Sequence, residues 1–271
     1  MKLDGSSAVV TGAAGGIGAA VARRLLDRGA GHVVLTDLDD GRLAATAGEL
    51  AGAHGADRVA WIAADAASEE GIGQVVAASP TGLPDLYVAN AGIFRGFGLE
   101  SPDVDWTLSL EVNVMAHVRA ARLLVPRWLE SGGGCFAVTA SAAGLLTQLG
   151  SPTYATTKRA AVGFAEWLAA TYGDRGIQVA ALCPMGVKTP MTEGGTDADG
   201  DAGVAHGSVA TAGEMLDAAD VADVFLDAIE QGRFLALPHH EVGQMYAQKA
   251  ADPERWLAGM QRYRRSLEAR E

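Results

Sequence analysis

Cysteine, lysine, aromatic residues and long apolar runs are all scarce in this chain. Only Cys135 and Cys183 carry thiols, the lysines are Lys2, Lys158, Lys188 and Lys249, and aromatic residues make up 6% of 271 positions. The two cysteines fall in apolar runs that read as buried strands, where a thiol behaves as a small hydrophobe. If those strands are parallel neighbours, one thiol opens its strand and the other closes its own. That leaves them about 10–15 Å apart and unable to pair, as suits a reducing cytoplasm. No apolar run approaches the roughly 20 residues of a membrane span, and Met1 to Asp4 leads into a strand without a charged-then-apolar leader, so a cytoplasmic location is expected. Basic runs are missing too. With 21 basic against 33 acidic residues the net charge is -12, which repels nucleic acid and anionic membranes. Any phosphate has to be held locally.

What is present is a rhythm. Short apolar runs at 8–12, 32–37, 59–65, 86–90, 135–140, 178–184 and 233–238 alternate with longer helix-compatible stretches. They are nearly continuous rather than alternating in polarity, so both faces of the sheet are expected to be covered. The predicted fold is α/β: a Rossmann-like, doubly wound, seven-stranded parallel sheet with helices on both faces, forming a single domain over residues 1–271. Ligands in such sheets lie beyond the carboxyl ends of the strands. The Gly- and Asp-rich stretch from Thr192 to Ala212 reads as a loop, and a substrate lid is expected at about 190–213. Residues 239–271 read as a tail of one or two helices.

After the first strand, Thr11-Gly12-Ala13-Ala14-Gly15-Gly16-Ile17-Gly18 opens into a helix. Glycines there permit a tight turn and let backbone N–H groups approach a pyrophosphate at the positive end of that helix. The second strand ends in Asp37, whose carboxylate can accept two ribose hydroxyls and repel a 2′-phosphate. Residues 36–40 and the glycine turn hold no Arg or Lys, so the expected cofactor is NAD. Asp39 and Asp40 read as a solvated helix start.

Tyr154 and Lys158 are four apart, so on a helix they stand on one face. A neighbouring ammonium and a cationic nicotinamide both favour the phenolate of a tyrosine whose reference pKa is near 10, which lets it accept an alcohol proton as hydride leaves. Ser141, after the fifth strand, can hydrogen-bond the reacting oxygen. Asn113 lies mid-helix, an unfavourable place for filler, and is suited to anchoring a water that links Lys158 to solvent.

Taken together these motifs resemble the short-chain dehydrogenase/reductase family from about Leu3 to Met191, with a looser continuation to Pro238. The resemblance implies cofactor contacts at Gly12, Gly15, Gly16, Ile17, Gly18 and Asp37. It extends them to Asp65 and Ala66, to Asn90-Ala91-Gly92, and to Tyr154 and Lys158. Pro184, Val187 and Thr189 are implied to hold the nicotinamide carboxamide, and Asn113, Ser141, Tyr154 and Lys158 to form the reactive group. Met185 stands where the family pattern has glycine, so the turn or the substrate wall there is expected to differ. The resemblance also implies a homotetramer or homodimer paired through helices around 106–130 and 154–173.

Phe94, Phe97, Leu145, Leu146, Met185 and Met191 are placed around the reactive centre, unless they fill the core, and point to a hydrophobic secondary alcohol or ketone as substrate. Arg95 reads either as a solvated loop residue or as a partner for a substrate carboxylate. His239 and His240 read as surface histidines, with no metal expected. Two alternatives to a dehydrogenase stay open. One is a lyase or epimerase using transient oxidation, which in this family goes with a longer chain; the other is a non-catalytic NAD-binding regulator, which need not keep Ser141, Tyr154 and Lys158 together.

Overall fold

Each apolar run becomes a strand in the computed structural model, which describes residues 1–193 and 198–269. The chain runs β1 (Ser7–Thr11), α1 (Gly16–Asp27), β2 (His32–Asp37), α2 (Asp40–His54), β3 (Val59–Ala63), α3 (Glu69–Ala77) and β4 (Leu86–Ala89). It continues through α4 (Asp103–Leu110), a π-helical turn over Glu111–Met115, α5 (Ala116–Ser131), β5 (Gly134–Thr139), α6 (Ala142–Leu145), α7 (Pro152–Tyr172) and β6 (Ile177–Leu182). The last part holds β7 (Val187–Lys188), α8 (Pro190–Glu193), α9 (Gly200–Thr211), β8 (Leu216–Asp217), α10 (Ala218–Glu230), β9 (Leu235–Ala236), α11 (Glu241–Ala251) and α12 (Pro253–Glu268).

Seven strands pair in the order β3-β2-β1-β4-β5-β6-β9, all parallel. Both faces are covered, and alternation along single strands shows how. Ala8 and Val10 of β1 pack with Val21 and Leu25 of α1 and Phe225 of α10, while Val9 packs with Leu124 and Trp128 of α5 and Val162 of α7. Leu86 and Val88 of β4 divide from Tyr87 and Ala89 in the same way. An apolar residue at every strand position is what two buried faces demand. The strand order reverses between β1 and β4, and the crevice opens beyond their carboxyl ends.

Local signals fix the helix starts. Asp39 caps α2 by accepting from the Arg42 N–H at 3.0 Å, in line with the expected helix start. Ser151 caps α7 with Pro152 in the first turn. Cys135 and Cys183 are buried free thiols, the first on β5 and the second just after the neighbouring β6.

Three expectations are corrected. The stretch read as a loop over 192–212 contains helix α9, because Val204, Ala205 and Ser208 recur at helical spacing and are buried; residues 194–197 of the expected lid lie outside the described residues. The last strand shortens to Leu235–Ala236 and forms the sheet edge. His239 is not a surface residue but 3% exposed, with both ring nitrogens hydrogen-bonded. The tail forms two helices divided at Asp252–Pro253, and residues 270–271 of that expectation lie outside the described part.

Candidate active site

Two adjoining hollows lie beyond the strand ends. The first is a groove of about 260 Å³ over the β1–α1 turn, lined by Gly12, Gly15, Gly16, Ile17, Asp37, the Asn90–Gly92 segment and Pro184, Val187 and Thr189. The second is a cavity of about 320 Å³, lined mainly by apolar side chains. Ser141, Tyr154, Met185, Met191 and Thr192 line both.

The groove is shaped by backbone. Gly12 has φ +65°, and a Cβ there would lie 2.9 Å from the Ala91 Cα. A Cβ on Gly18, which does not line the groove, would overlap the Gly12 carbonyl oxygen, so Gly18 lets α1 start flush against the turn. Asn90 ties the turn to β4: its Nδ2 donates to the carbonyls of Thr11 at 2.9 Å and Gly12 at 3.2 Å. The Thr11 hydroxyl accepts from the N–H groups of Asn90 at 3.0 Å and Ala91 at 2.9 Å. The Asp37 carboxylate accepts from Ala14 N–H at 3.1 Å and Leu38 N–H at 2.8 Å, which seats it at the groove edge.

A turn with glycine at positions 12, 15 and 16 at the N-terminus of α1 fits a dinucleotide pyrophosphate. Asp65 and Ala66 do not line this groove. Asp65 is exposed and accepts from Ala67 N–H at 2.9 Å. Arg42, two residues beyond the 36–40 stretch, also lines the groove. The Arg42 guanidinium, one turn into α2, reaches to within 2.9 Å of where a Gly15 Cβ would stand.

At the junction of groove and cavity, Lys158 is buried and its Nζ donates to the Thr139 carbonyl at 2.9 Å. It lies 5.6 Å from the Tyr154 ring centre, as four-residue spacing on α7 dictates. Burial lowers the Lys158 pKa to about 8. Burial raises that of Tyr154, with the Ser141 hydroxyl opposing the rise. Cys183, behind them, is pushed up to about 12 by burial and stays a thiol. Ser141 caps α6, its Oγ accepting from Ala143 N–H at 3.1 Å.

Asn113 sits in the π-helical turn. Its Oδ1 accepts from Ile93 N–H at 2.9 Å and its Nδ2 donates to the Ile93 carbonyl at 3.0 Å and Thr157 Oγ1 at 3.1 Å. Both amide donors are thus spent clamping the Gly92–Ile93 segment to α7. Asn113 Oδ1 and Lys158 Nζ each lie 3.2 Å from where a Gly92 Cβ would stand.

The cavity wall mixes expected and unexpected residues. Phe94, Leu146, Met185 and Met191 line it, whereas Leu145 is core and Phe97 packs edge-on against Phe94 at 5.3 Å. Phe94 also meets Tyr154 at 4.8 Å and His206 of α9 at 5.3 Å, joining Tyr154 to that helix. Thr147, also on the wall, holds φ +143°, a strained conformation for a β-branched residue. Ser208, Val209 and Thr211 of α9, Met245 of α11, and Trp256, Met260 and Tyr263 of α12 complete it. Sequence reasoning missed all seven, because they carry no motif and two of the three helices lie in the tail, which reads as helical but has no assigned role. Arg95 pairs with Asp105 and does not line the cavity.

Comparison with known proteins agrees with this geometry. The short chain dehydrogenase family matches residues 6–199. The 1-deoxy-11-beta-hydroxypentalenate dehydrogenase of Streptomyces avermitilis is 34% identical over 268 residues, covering 95% of this chain and 93% of that protein. The D-threitol dehydrogenase of Mycolicibacterium smegmatis is 36% identical, covering 70% and 73%. Among solved structures, a short chain dehydrogenase/reductase from Burkholderia phymatum in complex with NAD superposes with a TM-score of 0.83 at 29% identity, covering 94% of this chain and 96% of that one. L-sorbose reductase from Gluconobacter frateurii, complexed with NADPH and L-sorbose, gives 0.75 at 30% identity, covering 88% and 95%. The chain belongs to the short-chain dehydrogenase/reductase family and is an oxidoreductase of that family.

Proposed function

We propose that this protein interconverts a hydrophobic secondary alcohol and its ketone, with NAD(H) as cofactor. The observation that carries the reading is the meeting of Ser141, Tyr154 and Lys158 where the glycine-cradled groove opens into the apolar cavity. Ser141 Oγ hydrogen-bonds the substrate oxygen and Tyr154 Oη takes the hydroxyl proton as the carbinol hydrogen leaves as hydride. A nicotinamide dinucleotide held by the glycine turn, Asp37 and the Asn90–Gly92 segment would supply the hydride acceptor and, when oxidised, positive charge that favours the phenolate. Burial alone keeps Tyr154 protonated, so Lys158 and that charge are what bring its proton within reach at neutral pH. Asn113 holds the Gly92–Ile93 segment against α7 and so fixes the floor on which Lys158 stands.

Asp37 at the groove edge supports NAD over NADP, with Arg42 beside Gly15 as an opposing cation. An apolar wall with four methionines supports a hydrocarbon skeleton rather than a polyol. Helix α9, packed over Phe94 and Tyr154, serves as the cover of the substrate site. A groove between α5 and α7 that exposes Trp167 and includes Phe164 and Leu129 supports pairing of copies into a dimer or tetramer through these helices. Two buried free thiols suit the cytoplasm, and no helix among the described residues is long and apolar enough to cross a membrane.

The test is NADH formation on addition of terpenoid, steroid or aromatic secondary alcohols to protein and NAD⁺. Tyr154→Phe should lower turnover by about 10²–10⁴-fold with NADH affinity close to wild type. Full activity in that variant would sink the assignment.

A further inference from the structure

His239 follows the edge strand β9, 3% exposed, and its ring joins two segments distant in sequence. The Met185 N–H donates to its Nδ1 at 3.2 Å, and its Nε2 lies 2.9 Å from the Glu214 carbonyl oxygen. A nitrogen that accepts carries no proton, and a carbonyl can only accept. The ring is therefore the neutral Nε2–H tautomer, with each nitrogen used once.

The two partners are not arbitrary. Met185 belongs to the wall shared by groove and cavity, and Gly186 next to it lines the cavity. Glu214 lies three residues beyond α9, whose last turns line the cavity. Between them β7 and β8 pair, Val187 opposite Leu216, and Leu216 N–H donates to the Gly186 carbonyl at 3.1 Å. Side chains close the remaining space: a Cβ on Gly213 would lie 3.4 Å from the Met185 sulfur, and one on Gly186 would collide with that of Met215. Segments 185–188 and 213–217 therefore form one short ribbon, which His239 braces at the end nearest the reacting centre. Met185, the departure from the family glycine, is the residue the brace holds.

We propose that His239 is a positioning residue: by fixing Met185 and Glu214 to one ring, it sets the spacing between the cofactor-side wall and the α9 side of the cavity. Its role in turnover rests on the proposed hydride-transfer site; its role as a brace does not.

Amide hydrogen exchange on the ligand-free full chain tests the brace directly. In His239→Ala, exchange at Met185 and across 213–216 should accelerate at least about tenfold, as expected when a buried hydrogen bond is lost, with β5 and β6 unchanged. His239→Asn keeps an acceptor near the Nδ1 position but does not reach Glu214, so protection should return at Met185 and stay low at 213–216. In turnover, His239→Ala should lower kcat by about tenfold and change NADH affinity far less, with His239→Asn intermediate. Unchanged exchange in both segments, or exchange raised evenly over the sheet, overturns the proposal. Should the alanine variant fail to fold, the segmental split in His239→Asn decides alone. Wild-type activity persisting in Tyr154→Phe would overturn the hydride-transfer reading and leave the exchange result standing.

Discussion

The groove over the β1–α1 turn and the cavity beside it share a wall yet are built by opposite means. The groove takes its shape from backbone at strand ends: the Gly12 turn, the Asn90–Gly92 segment and the stretch from Pro184 to Thr189. The cavity takes its shape from side chains on helices far apart in the chain, α7, α9, α11 and α12. A site read by backbone constrains residue type sharply, because only glycine permits the approach. One read by apolar side chains accepts any residue that fills space.

Three substitutions would break or sharpen that contrast. The largest effect belongs to Gly12→Val, since its Cβ meets the Ala91 backbone and φ is +65°. NADH affinity should fall about a hundredfold, measured by fluorescence titration, with the far-ultraviolet spectrum retained. Asp37→Ser comes next. It removes the carboxylate and leaves Arg42 along the groove, so the NADP⁺ to NAD⁺ ratio of kcat/KM should rise about tenfold. An unchanged ratio would mean that Asp37 does not discriminate. The smallest change is Met260→Ala on α12, which should raise KM for a hydrophobic alcohol about fivefold and leave that for NAD⁺ unaltered. A matching change in KM for NAD⁺ would show that the two hollows do not recognise their ligands independently.

The same contrast explains what was legible in advance. Seven strands, their parallel pairing and the nearness of Tyr154 to Lys158 follow from apolar runs and from a four-residue spacing, because a sheet covered on both faces and a helix each impose a period. Asp39 was readable as a helix start for the same local reason. Arg42 was not, since its approach to Gly15 depends on where α2 lies against the turn. Trp256, Met260 and Tyr263 were invisible because an amphipathic tail helix looks the same whether it covers a core or walls a cavity. Helix α9 was masked by its Gly and Asp content; its few buried residues, Val204, Ala205 and Ser208, hold it only through contact with what lies below. His239 misled most, as adjacent histidines suggest surface, whereas this one is dry because both its nitrogens find backbone partners.

The placement of α11 and α12 after the whole sheet gives the molecule an order of completion during synthesis. Every described residue that lines the groove precedes position 193, yet Met185 and Val187 among them are tied to His239 and to β8, so the groove is finished only when those later residues are in place. The cavity beside it gains its last wall only when Met245, Trp256, Met260 and Tyr263 arrive. Sequence change confined to the cavity-facing positions of these last helices can therefore reshape that wall and leave the seven strands as they are.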